Sequence, residues 1–369
     1  MKMVVKREPF VAALSAASAV VPQRPLKPVL KNALLAFGDK GICEIQATDL
    51  EVGLRCRVTV ESIKDPISLC LPCHTLAGLL KECTEETVTL ETEGVKGIFK
   101  VGKDRFEIHG QDAADFPDVP NLGEGPIIPI PAIELGGMID RTVFSAAREQ
   151  GRYAINGVHF LYKDKTLEVV ATDGRRLAYC KRKLKAEGAL DEGVIVPVKM
   201  MQEVRKLCAV LPENEEVQLA VRGRSILVRG GDLTLSSLLV EGIFPKYQQV
   251  IPKDNNREAV FKRDALMAGL RKAQYLTTEE TKSVVIKFAP GSCVIEARSP
   301  DKGVATVDVE VDYKEEEMAI AFNPQFMMES LKVIGTDTVK LELKDGSKPG
   351  ILREGPEYLY VLMPVSPKD

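Results

Sequence analysis

Apolar positions along the chain keep two rhythms, and both return at a fixed interval. In Leu71-Pro-Cys-His-Thr-Leu-Ala-Gly-Leu-Leu-Lys-Glu-Cys83, apolar residues recur every three or four positions, predicting an amphipathic helix that follows a strand end. Val196-Pro-Val-Lys-Met-Met-Gln-Glu-Val-Arg-Lys-Leu-Cys208 and Phe322-Asn-Pro-Gln-Phe-Met-Met-Glu-Ser-Leu-Lys-Val-Ile334 read the same way. With Pro72, Pro197 and Asn323 as equivalents, the spacings are 125 and 126 residues. Such self-similarity means that one folding unit is used three times.

The strand rhythm repeats in step. Ala47-Thr-Asp-Leu-Glu-Val-Gly-Leu-Arg-Cys56 matches Ala171-Thr-Asp-Gly-Arg-Arg-Leu-Ala-Tyr-Cys180, 124 residues on, and Ala297 to Thr306 follows after another 126. Each predicts a strand, a polar turn and a returning strand. After each helix come period-two strands, 87–92, 217–221 and 339–344, with turns near Gly94, Gly223 and Gly346. A further helix should open each unit, at Phe10 to Val21, Ala132 to Arg148 and Lys262 to Leu276. The first of these resembles a signal peptide, since Met1-Lys-Met-Val-Val-Lys-Arg7 is basic and the stretch after it apolar. The repeat needs it as a core helix, and Pro9 suits a first helical turn.

The Pro- and Gly-rich links Asn121 to Pro126 and Ile251 to Asn256 set boundaries, giving units 1–125, 126–253 and 254–369. Each unit is α+β, with two helices packed on antiparallel sheets.

Composition changes this picture little. Hydrophobic residues make up 45% and charged residues 28% of the 369, with no Trp, so the cores rest on aliphatic side chains. No stretch has the length and apolarity of a membrane helix. Charge is more informative. The six predicted helices carry a net +6, the remaining residues −9, and the chain −3. Basic helices with acidic strands fit a surface that faces phosphates while the rest repels them, though solvated helix faces would give a similar split. The loop Gln23-Arg-Pro-Leu-Lys-Pro28 adds basic residues near a helix end.

Catalytic chemistry is not visible. The three histidines lie far apart, and no nucleophile-elbow, Walker-type or dinucleotide motif occurs. Of eight cysteines only Cys70-Leu-Pro-Cys73 has ligand-like spacing, and no second pair completes a metal site. The cysteines are expected to be reduced and structural, in a cytoplasmic protein. Asp173 in Thr172-Asp-Gly-Arg-Arg176 reads as a turn residue.

Taken together, Ala171 to Tyr179, Asn156-Gly-Val-His-Phe160, Gly242-Ile-Phe-Pro-Lys-Tyr247, Tyr360-Val-Leu-Met-Pro-Val365, Ala47 to Glu51 and Ala113-Ala-Asp-Phe-Pro117 resemble the beta subunit of bacterial DNA polymerase III, the sliding clamp, over essentially the whole chain. The resemblance implies three tandem DNA-clamp domains that form a ring as a head-to-tail homodimer. The ring would encircle double-stranded DNA independently of sequence and tether the replicative DNA polymerase for processive synthesis. It also implies loading by an ATP-dependent clamp loader, other partners carrying clamp-binding motifs, no cofactor and no catalysis.

Family members hold partner peptides in a pocket between their second and third domains. The matching positions begin with Ile155, Thr172, Gly174, Arg175, Arg176 and Leu177. Pro245, Gln249 and Val250 follow, and the chain's end supplies Val361, Leu362, Met363, Pro364 and Val365. Aliphatic walls and a flexible Met suit Leu or Phe side chains. Gln249 stands where members commonly carry arginine, which removes one rim charge. Cys73-His74 replaces two basic residues found in some members, so the expected DNA contacts are Arg24, Arg148, Gln150, Arg152, Tyr153 and Lys199. At the dimer interface, Arg105, Phe106 and Ile108 should meet Tyr275 and Leu276 of a second copy.

Overall fold

The computed structural model describes residues 2–38, 41–62, 66–147, 153–186, 190–278 and 282–365. Among the described residues the six α-helices are α1 (Arg7–Val20), α2 (Cys73–Glu82), α3 (Ala132–Thr142), α4 (Val198–Val210), α5 (Arg263–Gln274) and α6 (Pro324–Leu331). All strand pairings are antiparallel. Contacts divide the chain into two compact units, one of Met1–Leu135 with Gln202–Leu239 and one of Gly136–Met201 with Val240–Asp369.

In the first unit, α1 buries Phe10, Ala13, Leu14, Ala17 and Val20, one stripe at helical spacing, against α2 and the strands Ile42–Thr48 and Val52–Ser62. The stretch Phe10 to Val20 is thus a core helix. Its serines stay helical by turning back on the preceding turn: Ser15 donates to the Val11 carbonyl at 2.6 Å and Ser18 to the Leu14 carbonyl at 2.8 Å. One 12-stranded sheet runs through this unit. Its main path begins at Asp104–His109 and passes through Lys96–Val101, Thr87–Glu93, Lys2–Lys6 and Val52–Ser62. It then crosses to Leu233–Leu238, Ser225–Gly230, Glu216–Arg222 and Ile128–Pro131.

The second unit holds an 8-stranded sheet in the order Leu190–Pro197, Gly157–Lys163, Thr166–Thr172, Arg176–Lys183, Tyr358–Leu362, Gly350–Glu354, Thr338–Leu343, Arg257–Lys262. A 4-stranded sheet follows the order Gly303–Val309, Ser292–Ser299, Val284–Ala289, Met318–Phe322, with α5 packed on its edge strand.

The sheets therefore do not stop at the sequence repeats. The strand after the first repeat's polar turn pairs with the last meander strand of the second repeat, placing Leu54 opposite Leu235 and Cys56 opposite Leu233. The equivalent strand of the second repeat pairs with the last strand of the third, placing Ala178 opposite Tyr360 and Cys180 opposite Tyr358. Each pairing covers an edge that would otherwise expose unpaired backbone groups.

The polar turns are near copies. Asp49 Oδ1 accepts from the Glu51 and Val52 amides at 3.0 and 2.8 Å, and Asp173 Oδ1 from Arg175 and Arg176 at 2.9 and 3.1 Å. Both turns need a left-handed residue. Gly174 supplies it at φ +87°, whereas the first repeat uses Leu50 at φ +77°. Two helices are shorter than their periodicity predicts: α6 ends at Leu331 rather than Ile334, and α3 ends at Thr142, whose hydroxyl bonds the Met138 carbonyl at 2.8 Å, with a 3-10 turn, Val143–Ser145, following.

Candidate functional site

Beside the second polar turn lies a cavity of about 470 Å³, lined by Ala154, Ile155, Thr172, Gly174, Arg176, Leu177, Pro245, Tyr247, Val250, Val361 and Met363. Its position follows from local structure. Period-two alternation turns Val361 towards the cavity and Leu362, fully buried, to the other face of the strand. Thr172 donates to the Arg176 carbonyl at 2.6 Å and accepts from the Gly174 amide at 3.1 Å, which closes the turn and leaves the Leu177 side chain on the cavity floor. Met363 is 44% exposed and its amide donates to the Arg175 carbonyl at 2.9 Å, so a flexible thioether stands at the rim.

Arg176 is the most constrained of these residues. Its Nε donates to Asp173 at 3.0 Å, its Nη2 to the Phe144 carbonyl at 2.8 Å, and its Nη1 is ion-paired to Glu329. Burial opposes the charge, but Tyr360 and Glu329 outweigh it and raise the guanidinium pKa above its ordinary value. The capture of the Phe144 carbonyl also accounts for a backbone group released by the early end of α3.

Of the pocket residues implied by the resemblance, Arg175, Gln249, Leu362, Pro364 and Val365 are not among the lining. Arg175 and Gln249 are exposed near it, and Val365 bonds the Ala321 carbonyl at 2.9 Å. Two lining residues were not legible in the sequence, Ala154 and Tyr247. The spacing of Tyr247 between Pro245 and Val250, in a chain with few aromatic residues, is the signal that could have found the second.

The DNA-contact positions lie on separate elements. Arg24 is exposed in the loop after α1, Lys199 is exposed in the first turn of α4, and Tyr153 opens a 3-10 turn, Tyr153–Ile155. Arg148, Gln150 and Arg152 lie outside the described residues. Arg105, Phe106 and Ile108 occupy the terminal strand of the 12-stranded sheet, and Tyr275, 80% exposed, caps α5 with Leu276 beside it.

Seven of the eight cysteines are buried, and Cys83 is partly so. Burial lifts the thiols of Cys56, Cys70 and Cys73 to about 11 each, which disfavours the thiolate that metal binding needs. Among the described residues no three His, Cys, Asp or Glu side chains are grouped to hold a metal ion. Nor, among them, is any helix long and apolar enough to cross a membrane.

Comparison with known proteins covers nearly the whole chain. Residues 1–120, 129–246 and 248–366 match the N-terminal, central and C-terminal domains of the DNA polymerase III beta subunit. The beta sliding clamp of Pseudomonas aeruginosa is 30% identical over 369 residues, covering 99% of this chain and 100% of that protein. That of Chlamydia pneumoniae is also 30% identical, covering 99% of each. The crystal structure of the Pseudomonas aeruginosa subunit superposes with a TM-score of 0.94 at 30% identity, covering 99% of this chain and 100% of the other. The clamp of Caulobacter crescentus superposes with a TM-score of 0.92 at 29% identity, covering 100% of both. The three matched domains, read with the thrice-used fold, place this chain in the family of DNA polymerase III beta subunits, the bacterial DNA sliding clamps.

Proposed function

We propose that this clamp acts as a head-to-tail homodimeric ring around duplex DNA, and that its 470 Å³ cavity receives short peptides from the replicative polymerase and other partners. The ring retains DNA by linkage, so phosphate contacts from Arg24, Lys199 and the residues near Tyr153 need only be weak and sequence-independent. An ATP-dependent loader opens it in the cytoplasm. The chain tethers enzymes without carrying out a reaction and without a cofactor. Division into domains 1–125, 126–253 and 254–369 belongs to the same proposal.

One observation carries the ring. In both sheet junctions, the strand after a polar turn takes the last meander strand of the following repeat. Two strands of this kind are left at sheet ends: Gly303–Val309, after the third repeat's turn, and Asp104–His109, last in the first repeat's meander. Pairing them between two copies completes the series. Carrying the register of Leu54 with Leu235, and of Ala178 with Tyr360, onto these edges sets Val304 opposite Phe106. The four reference residues are buried, whereas Val304 is 57% exposed and Phe106 partly exposed in the single chain. A second copy would bury both, and Tyr275 and Leu276 sit at the end of α5, the helix packed on the same edge.

The pocket's aliphatic and aromatic walls favour Leu and Phe side chains, with the turn's polar groups at the rim to orient a peptide. The experiment that tests the function is retention on DNA after loading. The protein should stay on a closed circle and leave once the circle is linearised; equal retention on both would overturn topological binding.

A further inference from the structure

A half-buried polar cluster stands at one wall of the cavity. Glu168, on the strand Thr166–Thr172, divides its carboxylate between two phenols: Oε1 accepts from the Tyr179 hydroxyl at 2.8 Å and Oε2 from the Tyr247 hydroxyl. Tyr179 lies on the neighbouring strand, opposite Val170, within diagonal reach of Glu168 across the ladder. Tyr247 arrives from a different part of the chain, 79 residues away, and its ring lines the cavity.

The segment carrying Tyr247 is fixed mainly by side-chain contacts. Its backbone hydrogen bonds are local, from Tyr247 to the Pro245 carbonyl at 2.7 Å, Gln249 to Lys246 at 3.1 Å and Val250 to Tyr247 at 3.1 Å. It is held to the sheet through side chains. Phe244 stacks on His159 with ring centroids 4.9 Å apart, and Phe244 and Tyr247 join a cluster with Val170, Leu177, Ile195 and Val361. Apolar packing sets depth but is non-directional. The hydrogen bond to Glu168 is directional and charge-assisted, and it terminates on a rigid central strand.

We propose that Glu168 is a positioning residue for peptide binding: by gripping Tyr179 and Tyr247 with one carboxylate, it fixes the wall of Pro245, Tyr247 and Val250 at the spacing an inserted Leu or Phe side chain needs. This rests on the reading of the cavity as the partner-peptide pocket. Both phenols remain donors across the working pH range, because burial first and Glu168 next raise their pKa values.

The test is calorimetric titration of the full-length chain with a synthetic peptide of polar residues carrying one Leu-Phe pair. Glu168→Leu and Tyr247→Phe should each weaken binding by about tenfold, the equivalent of one charge-assisted hydrogen bond. The double variant should bind no more weakly than either single one, because both remove the same bond. Lowered thermal midpoints with unchanged affinity would make Glu168 merely structural and overturn the proposal, as would additive losses in the double variant. If the unaltered chain fails to bind the peptide, the pocket reading falls and this proposal with it. Should Glu168→Leu not fold, Tyr247→Phe decides alone, since it keeps the ring and loses only the hydroxyl.

Discussion

The guanidinium of Arg176 lies 4.1 Å from the centroid of the Phe326 ring, while the same group is ion-paired to Glu329 one helical turn further along α6. An Arg side chain can do both at once because its plane stacks while its edge donates. Replacing it with Leu would leave Asp173 and Glu329, each with an 18% exposed side chain, without their cation. We expect Arg176→Leu to cost about 3 to 5 kcal/mol of stability. Arg176→Lys should recover only part, having lost the fork and the stack. Thermal unfolding of both variants measures the difference.

Phe106→Asp should convert the dimer into monomers, and Val304→Asp should do the same from the opposite edge. Sedimentation is the measurement. An unchanged dimer for either variant would remove the register that sets Phe106 against Val304.

Removing residues 363 to 369 takes Met363 from the rim while leaving the strand Tyr358–Leu362 and its pairing with Arg176–Lys183 in place. The truncated chain should still sediment as a dimer but no longer stimulate its polymerase. Undiminished stimulation would count against the cavity.

Acid should weaken the fold through His159. Burial lowers its pKa below the ordinary 6.5, with Glu168 opposing, and among the described residues its Nδ1 has no hydrogen-bond partner. The unfolded chain therefore takes up this proton first as pH falls. The stability contributed by neutral His159 is full above pH 6.5 and is lost progressively below it, down to the depressed folded value. The slope is at most about 1.4 kcal/mol per pH unit. Urea midpoints at pH 7.5 and 5.5 should differ less in His159→Leu than in the unaltered chain.

Leu50 is 43% exposed and left-handed, so its side chain contributes little burial against the strain it carries. Leu50→Asn, which suits that conformation, should stabilise by about 0.5 to 1 kcal/mol. A lowered thermal midpoint would mean that Leu50 makes contacts that outweigh its strain.

What the sequence discloses here is local and periodic. The stripe of Phe10, Leu14 and Ala17 marks α1, and the paired Thr48-Asp49 and Thr172-Asp173 mark turns, because neighbouring residues alone determine each pattern. The contact that follows the end of α3 is not local, since Arg176 takes the Phe144 carbonyl from 32 positions away. The partners of Glu168 are hidden for the same reason, since a carboxylate within an alternating strand looks like any solvated residue until Tyr247 reaches it. The cavity positions come from a resemblance, and their shared lining, from Ile155 to Met363, depends on strand pairings that no single stretch of sequence encodes.

The two sheet junctions within the chain differ from the proposed third in one physical respect. Their strands are tethered by the polypeptide, so a junction that opens keeps its partner at high local concentration and recloses as a unimolecular event. The edge at Asp104–His109 has no such covalent tether and is held to its partner only through the other seam between the copies. In the proposed dimer each copy contributes three similar seams; one seam between copies can part alone as a unimolecular event, and only the parting of both depends on protein concentration. A dilute clamp would fall into single copies more readily than a concentrated one, while the opening of one seam would cost the same at either concentration.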